Sequence, residues 1–253
     1  MRVTFLGTGT SVGVPIIWCR CAVCTSPDPR NNRLRQSLWI RNGEASVLVD
    51  ASPDFRAQCL RHGIRRLDAI LLTHAHADHI LGLDETRIFA HWHKGAIPVY
   101  GSPRTLAGVR KTFWYAFDDT PEGGGKPKLD LRELPGELVL GGLRVLPVEA
   151  DHGSMPVTGY RVDGFAYLTD CKRVPEPAVL ALGGLDTLVI NALRRKPEHP
   201  THMTVAEALA AIEAIGPKRA FLVHMGHDLE HGDLAASLPA HVQPAYDGLT
   251  LEF

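Results

Sequence analysis

Four side chains able to bind metal fall within six consecutive positions, His74, His76, Asp78 and His79, in the segment THAHADH over 73–79. Neutral imidazoles and a carboxylate suit zinc and similar divalent ions, and a close pair of ions needs ligands at about this density. A second candidate is Trp18–Thr25, WCRCAVCT, where Cys19, Cys21 and Cys24 gather three thiolates. Structural zinc takes four ligands in a closed tetrahedron, so three cysteines ask for a fourth. Cys59, Cys171 and any remote histidine are candidates, among them His227, three residues past His224. The plain alternatives are a polar loop that happens to be rich in histidine and a set of free thiols, open to oxidation where exposed.

These groups need rigid elements to present them. Leu67–Thr73 (LDAILLT) is a short apolar run that reads as a buried strand, which puts the histidine-rich segment on the loop where a strand ends. His152 follows the run Leu143–Glu149, Asp170 follows Phe165–Thr169, and His224 follows Ala220–Val223. A single histidine at a strand end is ordinarily a satisfied polar residue, but ligands arriving from separate strand ends can converge on one point. Further strands are expected at Val3–Leu6, Ile97–Tyr100, Leu131–Leu134, Thr158–Val162 and Thr187–Ile190, with a hairpin of Ser37–Ile40 and Ser46–Val49 around Asn42-Gly43. Helices are expected over Asp54–His62, stopped by Gly63, over Ile80–Phe89, over Thr105–Phe113, and over Thr204–Ile215, stopped by Gly216-Pro217. Asp118–Lys128, with Pro121, three glycines and Pro127, reads as an exposed loop. Strands with helices interspersed suggest sheets packed inside helical layers.

The chain has 253 residues, 45% hydrophobic and 22% charged, which suits one globular domain over 1–253 with the cysteine knuckle inside 18–25. A net charge of −1 gives no global basic field for bulk nucleic-acid binding. Met1–Leu6 runs straight into a strand pattern rather than a signal peptide, and no apolar stretch approaches the roughly 18 residues that span a bilayer. A cytoplasmic protein without a membrane partner is the expectation. In a reducing compartment an odd number of cysteines, five, argues for metal rather than disulfides. Oligomeric state is not legible, and a homodimer is one arrangement left open.

Taken together, Asp50 in VLVDAS, HAHADH at 74–79, His152, Asp170 in YLTDC and His224 in LVHMGH resemble the metallo-β-lactamase-fold hydrolases, from Phe5 to the C-terminus. The resemblance implies an α/β (α+β) fold, an αββα sandwich with a dinuclear site on one edge. It implies His74, His76 and His152 on one divalent ion, Asp78, His79 and His224 on the second, and Asp170 bridging. A shared carboxylate and a shared hydroxide offset the repulsion of two close cations, and metal binding lowers the pKa of water to roughly 7 in favourable sites. Zinc and manganese would serve equally by ligand type. Asp50 reads as an acceptor that orients the histidine loop, or as a strand-end residue that caps a turn.

The C-x-C-x-x-C knuckle with the later H-x-x-H is similar to a narrower subgroup, the phosphoribosyl cyclic phosphodiesterases of the carbon–phosphorus lyase pathway. That resemblance implies a structural zinc on Cys19, Cys21, Cys24 and His227. It implies that His202, in EHPTHMTV over 198–205, protonates the leaving oxygen, with His199 a weaker rival, and that Arg87 in GLDETRIF clamps phosphate. The alternatives are a helix-capping role for His202 and a salt bridge from Arg87 to Asp84. Arg194, Arg195 and Lys196 could steer an anionic substrate or simply be solvated. The implied activity is hydrolysis of small, including cyclic, phosphodiesters by a metal-bridging hydroxide. Transfer-RNA 3′-processing endonucleases share the FLGTGTSVGVP-like opening and the metal motifs, but carry a substrate-gripping arm for which Pro121–Lys128 is too short. A pyrroloquinoline-quinone biosynthesis protein shares the knuckle, and a metal-binding module without catalysis is a reading of another class, against which the intact ligand set argues. Asn191-Ala192, the Glu198–His202 segment and Gly123–Gly125 depart from the phosphodiesterase pattern, so the chemistry is better specified than the substrate.

Overall fold

The apolar runs form strands covered on both faces, which is why they lack the polar–apolar alternation of a half-exposed sheet. A computed structural model describes residues 1–119 and 125–253, so Pro121, Gly123 and Gly124 of the expected loop lie outside the described residues. In chain order β1 (Arg2–Gly7), β2 (Ser37–Asn42), β3 (Ala45–Val49), β4 (Ala69–Leu71), β5 (Ile97–Gly101) and β6 (Leu129–Glu133) build the first sheet. The second holds β7 (Leu138–Leu140), β8 (Leu143–His152), β9 (Met155–Val162), β10 (Phe165–Leu168), β11 (Thr187–Asn191), β12 (Arg219–Val223) and β13 (Val242–Pro244), and β14 (Thr250–Glu252) returns to pair with β1. Both sheets are mixed: β3 to β6 and β10 to β13 run parallel, while hairpin-like neighbours on the other side run antiparallel.

Alternate residues of each strand serve different layers. Val3, Phe5, Leu38, Ile40, Val47, Val49 and Leu71 meet Val145, Tyr160, Val162, Phe165 and Tyr167 between the sheets. Their neighbours Leu6, Trp39, Leu48 and Ile70 face outward onto α1 (Phe55–His62), α3 (Arg87–His93) and α4 (Pro103–Thr112), which contribute Phe55, Phe89 and Val109. The outer face of the second sheet packs Leu168, Leu188 and Leu222 against α5 (Glu176–Ala181), α6 (Val205–Ile215) and α7 (His231–Ser237). The result is helix, sheet, sheet, helix, the sandwich that the resemblance implies.

The structure redraws some expected elements. The helix expected over Ile80–Phe89 is broken: α2 covers only Ala77–Ile80, a 3-10 stretch runs over Leu81–Thr86, and α3 starts at Arg87. Gly82 passes so close to the loop after β3 that a Cβ there would lie 2.2 Å from the Ser52 carbonyl oxygen, and its N–H donates to the Ala51 carbonyl at 2.9 Å. That outside partner draws the backbone off the helical pattern. α4 starts at Pro103, two residues before the expected Thr105, because Ser102 caps it by accepting from the Thr105 N–H at 3.2 Å. β8 runs on through His152, which the sequence reading placed after the strand. No helix of the described residues is long and apolar enough to cross a membrane.

Candidate metal centre

β1, β3, β4, β8, β10 and β12 point the same way within their sheets, so the loops beyond their C-terminal ends share one edge of the sandwich. Asp50, Asp170 and His224 stand at three of these ends with φ of 61°, 54° and 53°. A left-handed backbone is costly for most side chains but less so for Asp and His, and such strain gathers at functional sites. It lets each strand stop abruptly and turn its last polar residue into the edge.

Three overlapping groups of ligand atoms result. One atom from each of His74, His76 and His152 lies within 4.8 Å of the others, the same holds for Asp78, His79, Asp170 and His224, and again for His152, Asp170 and His202. Asp170 stands between the first two. Its Oδ2 lies 3.1 Å from His224 Nε2, 3.4 Å from His79 Nε2 and 4.0 Å from His74 Nε2. His79 Nε2 and His224 Nε2 are buried and make no hydrogen bond. Buried nitrogens are rarely left without a partner, and lone pairs converging beside carboxylates fit a divalent cation.

On two of the rings, His79 and His152, the nitrogen on the far side is engaged, whereas His224 Nδ1 is buried without a partner. His79 Nδ1 donates to Asp50 Oδ2 at 2.7 Å, and His152 Nδ1 donates to the Thr201 carbonyl at 2.8 Å. Such partners fix the tautomer and aim the other nitrogen at the ion. Asp50 also accepts from the Thr73 N–H and hydroxyl, both at 2.8 Å, and so ties the start of the histidine loop to the end of β3. Burial by itself would raise the Asp170 carboxyl, but His224 and His79 beside it hold it well below the ordinary range. Asp78 is likewise opposed by burial and brought down to about 2 by His79. Both carboxylates therefore stay ionised at neutral pH, as ligands must.

The knuckle closes on His227. Its Nδ1 lies 3.2, 3.5 and 3.6 Å from the sulfurs of Cys19, Cys21 and Cys24, a three-sulfur, one-nitrogen set that fits tetrahedral zinc. The Cys24 N–H donates to Cys21 Sγ, which brings that thiol down to about 6 and favours the thiolate. Cys59 sits half-buried on α1 and Cys171 is buried against Asn191; neither joins a ligand group.

His202 is brought to the centre. Its Nε2 lies 3.2 Å from Asp170 Oδ2, and its ring stacks on His224 with centroids 4.8 Å apart and planes at 11°. Its Nδ1 contacts Thr201 Oγ1 at 2.9 Å and His199 Nδ1 at 3.1 Å. Arg87 is placed elsewhere. It pairs with Asp84 at 3.1 Å and lines a cavity with Lys126 and Lys128, just ahead of β6. β6 runs parallel to β5 and β4, so its start lies at the end of the sheet away from the histidine loop. Arg194 donates to the Pro197 carbonyl within its own loop, and Arg195 donates to Ser237 at the end of α7. Sequence reasoning missed Gln36, which accepts from the His224 N–H at 3.2 Å, and Tyr160, which donates to the Leu72 carbonyl at 2.6 Å. Both lie in ordinary strand surroundings, and only tertiary contact reveals them.

A beta-lactamase superfamily domain model matches residues 45–225. A crystal structure of a diphosphatase from the PhnP family is 41% identical, with a TM-score of 0.92, and the match covers 100% of this chain and 97% of that one. The chain belongs to the metallo-β-lactamase superfamily and, within it, to the PhnP family. Two curated relatives extend the comparison. A protein of Porphyromonas gingivalis named octanoyltransferase is 39% identical over 98% of this chain, yet the match spans 51% of its length, so this chain answers to about half of that protein. Coenzyme PQQ synthesis protein B of Methylorubrum populi is 28% identical, over 76% of this chain and 72% of its own. With the superfamily fold and a His/Asp cluster fit for metal, this PhnP-family chain is a metal-dependent hydrolase.

Proposed function

We propose that the protein is a phosphodiesterase that hydrolyses small phosphodiesters, cyclic ones included, at a centre of two divalent ions, zinc or manganese, with a third, structural zinc in the knuckle. The observation that carries this reading is the position of His202. It lies outside both ligand sets that the family resemblance implies, yet it groups with His152 and Asp170, 3.2 Å from that carboxylate. An imidazole at that place is within reach to deliver a proton to a departing oxygen.

The remaining roles follow from the chain. His74, His76 and His152 would hold one ion, Asp78, His79 and His224 the other, and Asp170 both. When bound, the pair would lower the pKa of water toward neutrality and neutralise charge on the phosphoryl oxygens. Asp50, Thr73 and the Thr201 carbonyl keep the imidazoles aimed. The PhnP-family relative, described as a diphosphatase, supports phosphorus as the centre attacked, since a diphosphate and a diester both present a phosphoryl group bonded through oxygen to a leaving group. The net charge of −1 is a mild argument against an RNA substrate.

The test is a substrate panel with added zinc or manganese: bis(p-nitrophenyl) phosphate, a cyclic ribose phosphate diester, p-nitrophenyl phosphate and precursor transfer RNA. Turnover of the small diesters with little on the monoester is the expected result. Activity on precursor transfer RNA far above that on cyclic diesters would favour the endonuclease reading, and no turnover of any phosphate ester at full metal content would leave a non-catalytic metal module.

A further inference from the structure

The segment carrying His74 and His76 is held from two sides. On the inner side Tyr160 Oη donates to the Leu72 carbonyl at 2.6 Å and the Thr158 N–H donates to the Thr73 carbonyl at 2.9 Å, so β9 fixes the point where β4 runs out. On the outer side the segment meets α4 at Gly108. A Cβ built on Gly108 would lie 2.5 Å from the Ala75 Cβ, and among the described residues beyond the helix's own backbone that methyl is the one heavy atom within 4 Å. Two carbons do not approach so closely, so any side chain at 108 must displace the loop or the helix.

Nothing within α4 calls for glycine. Gly108 lies inside Pro103–Thr112, its φ is not in the left-handed region, and alanine is the better helix former at such a position. The residue it meets, Ala75, is the single link between two ligand-bearing positions, with His74 Nε2 and His76 Nδ1 3.0 Å apart. We propose that Gly108 is a positioning residue of the metal centre: the space left by its missing side chain seats the Ala75 methyl, and that seat sets the spacing of His74 and His76. The proposal rests on the reading of His74, His76 and His152 as ligands of one ion.

The experiment uses the full chain as wild type, Gly108→Ala, Ala75→Val, the double variant Gly108→Ala/Ala75→Gly, and His76→Ala as control. Each is stripped and titrated with zinc against a chromophoric chelator, with elemental analysis and thermal melting in parallel. Gly108→Ala is expected to weaken one active-site ion by roughly 10–100-fold, the range for partners that orient ligands. It should keep the knuckle zinc and melt, metal-free, no lower than wild type. Ala75→Val should reproduce the loss, and Ala75→Gly should restore affinity in the Gly108→Ala background, because it removes the second of the two clashing carbons. A merely structural glycine would instead lower the melting point and lose all ions together. Wild-type zinc affinity in Gly108→Ala, or in Ala75→Val should the first variant fail to fold, overturns the seat. If wild type itself takes up no ion that His76→Ala removes, the ligand reading fails first and the seat with it.

Discussion

His224 and His227 stand three residues apart on one turn beyond β12 yet serve two different clusters. His224 Nε2 lies 3.1 Å from Asp170 Oδ2, and His227 Nδ1 lies 3.2 Å from Cys19 Sγ. The buried guanidinium of Arg33 pins the stretch between and beyond them, donating to the carbonyls of Gly226 and Leu229. The knuckle is thereby a staple on the stretch of chain that carries His224.

From this arrangement Cys21→Ser is expected to remove one zinc and lower the melting temperature while leaving the active-site ions largely bound. His224 keeps its own anchors, the end of β12 and the contact of its N–H with Gln36. Elemental analysis of protein purified without chelator should fall from close to three equivalents toward two. Finding a single metal whose loss follows only substitutions in HAHADH would sink the structural site.

Asp170→Ala is expected to cost more than Asp50→Ala. Asp170 faces both ligand groups, whereas Asp50 acts through His79 and Thr73. Removal of an orienting partner typically costs roughly 10–100-fold in metal affinity or activity, and loss of the shared carboxylate should exceed that range. Near wild-type turnover by Asp170→Ala with full metal content would end the dinuclear reading.

For His202 the discriminating variable is the leaving group. His202→Ala should slow an alkyl phosphodiester by roughly 10²–10⁴-fold, the usual scale of general acid catalysis. It should slow a p-nitrophenyl diester far less, because p-nitrophenolate departs without a proton. Equal losses on both substrates would leave His202 a binding or structural residue.

Asp247 gives the fold its own pH dependence. Burial pushes its carboxyl from 3.8 up to about 7, although it accepts from the Leu34 N–H at 2.7 Å and from the Thr8 hydroxyl at 2.8 Å. Between those two values the folded chain holds a proton that the unfolded chain has released. Stability from this group is therefore full below about pH 4, falls as pH rises toward 7, and is flat above it. Its side chain still meets some solvent, so a drop of about 1–2 kcal/mol is expected, short of the full linkage value. Asp247→Asn should melt like wild type at low pH and above it at pH about 8; melting curves of the two proteins that stay parallel across this range would refute the assignment.

Much of the centre was legible in the chain because its signals are local. HAHADH concentrates ligands at a density that few other roles explain, and His152, Asp170 and His224 each close an apolar run that reads as a strand. Short apolar runs likewise marked the sheets, since burial on both faces leaves such runs unbroken. Less local features were not legible. The break of Ile80–Phe89 depends on the Ser52 carbonyl meeting Gly82, and nothing in the local pattern announces it.

The sequence by itself determined which metal-capable side chains the centre holds, their order and the strand ends that carry them, because those depend on residue chemistry and short-range pattern. Tertiary structure alone decided which of several candidates closes the knuckle by contact, that Arg87 lines a cavity with Lys126 and Lys128 toward the far end of the sheet, and that His202 stacks on His224. It also decided that Gly108 meets Ala75. Each of these is a distance between residues far apart or differently oriented along the chain, set by how two sheets and their helices pack, and no local spacing encodes it.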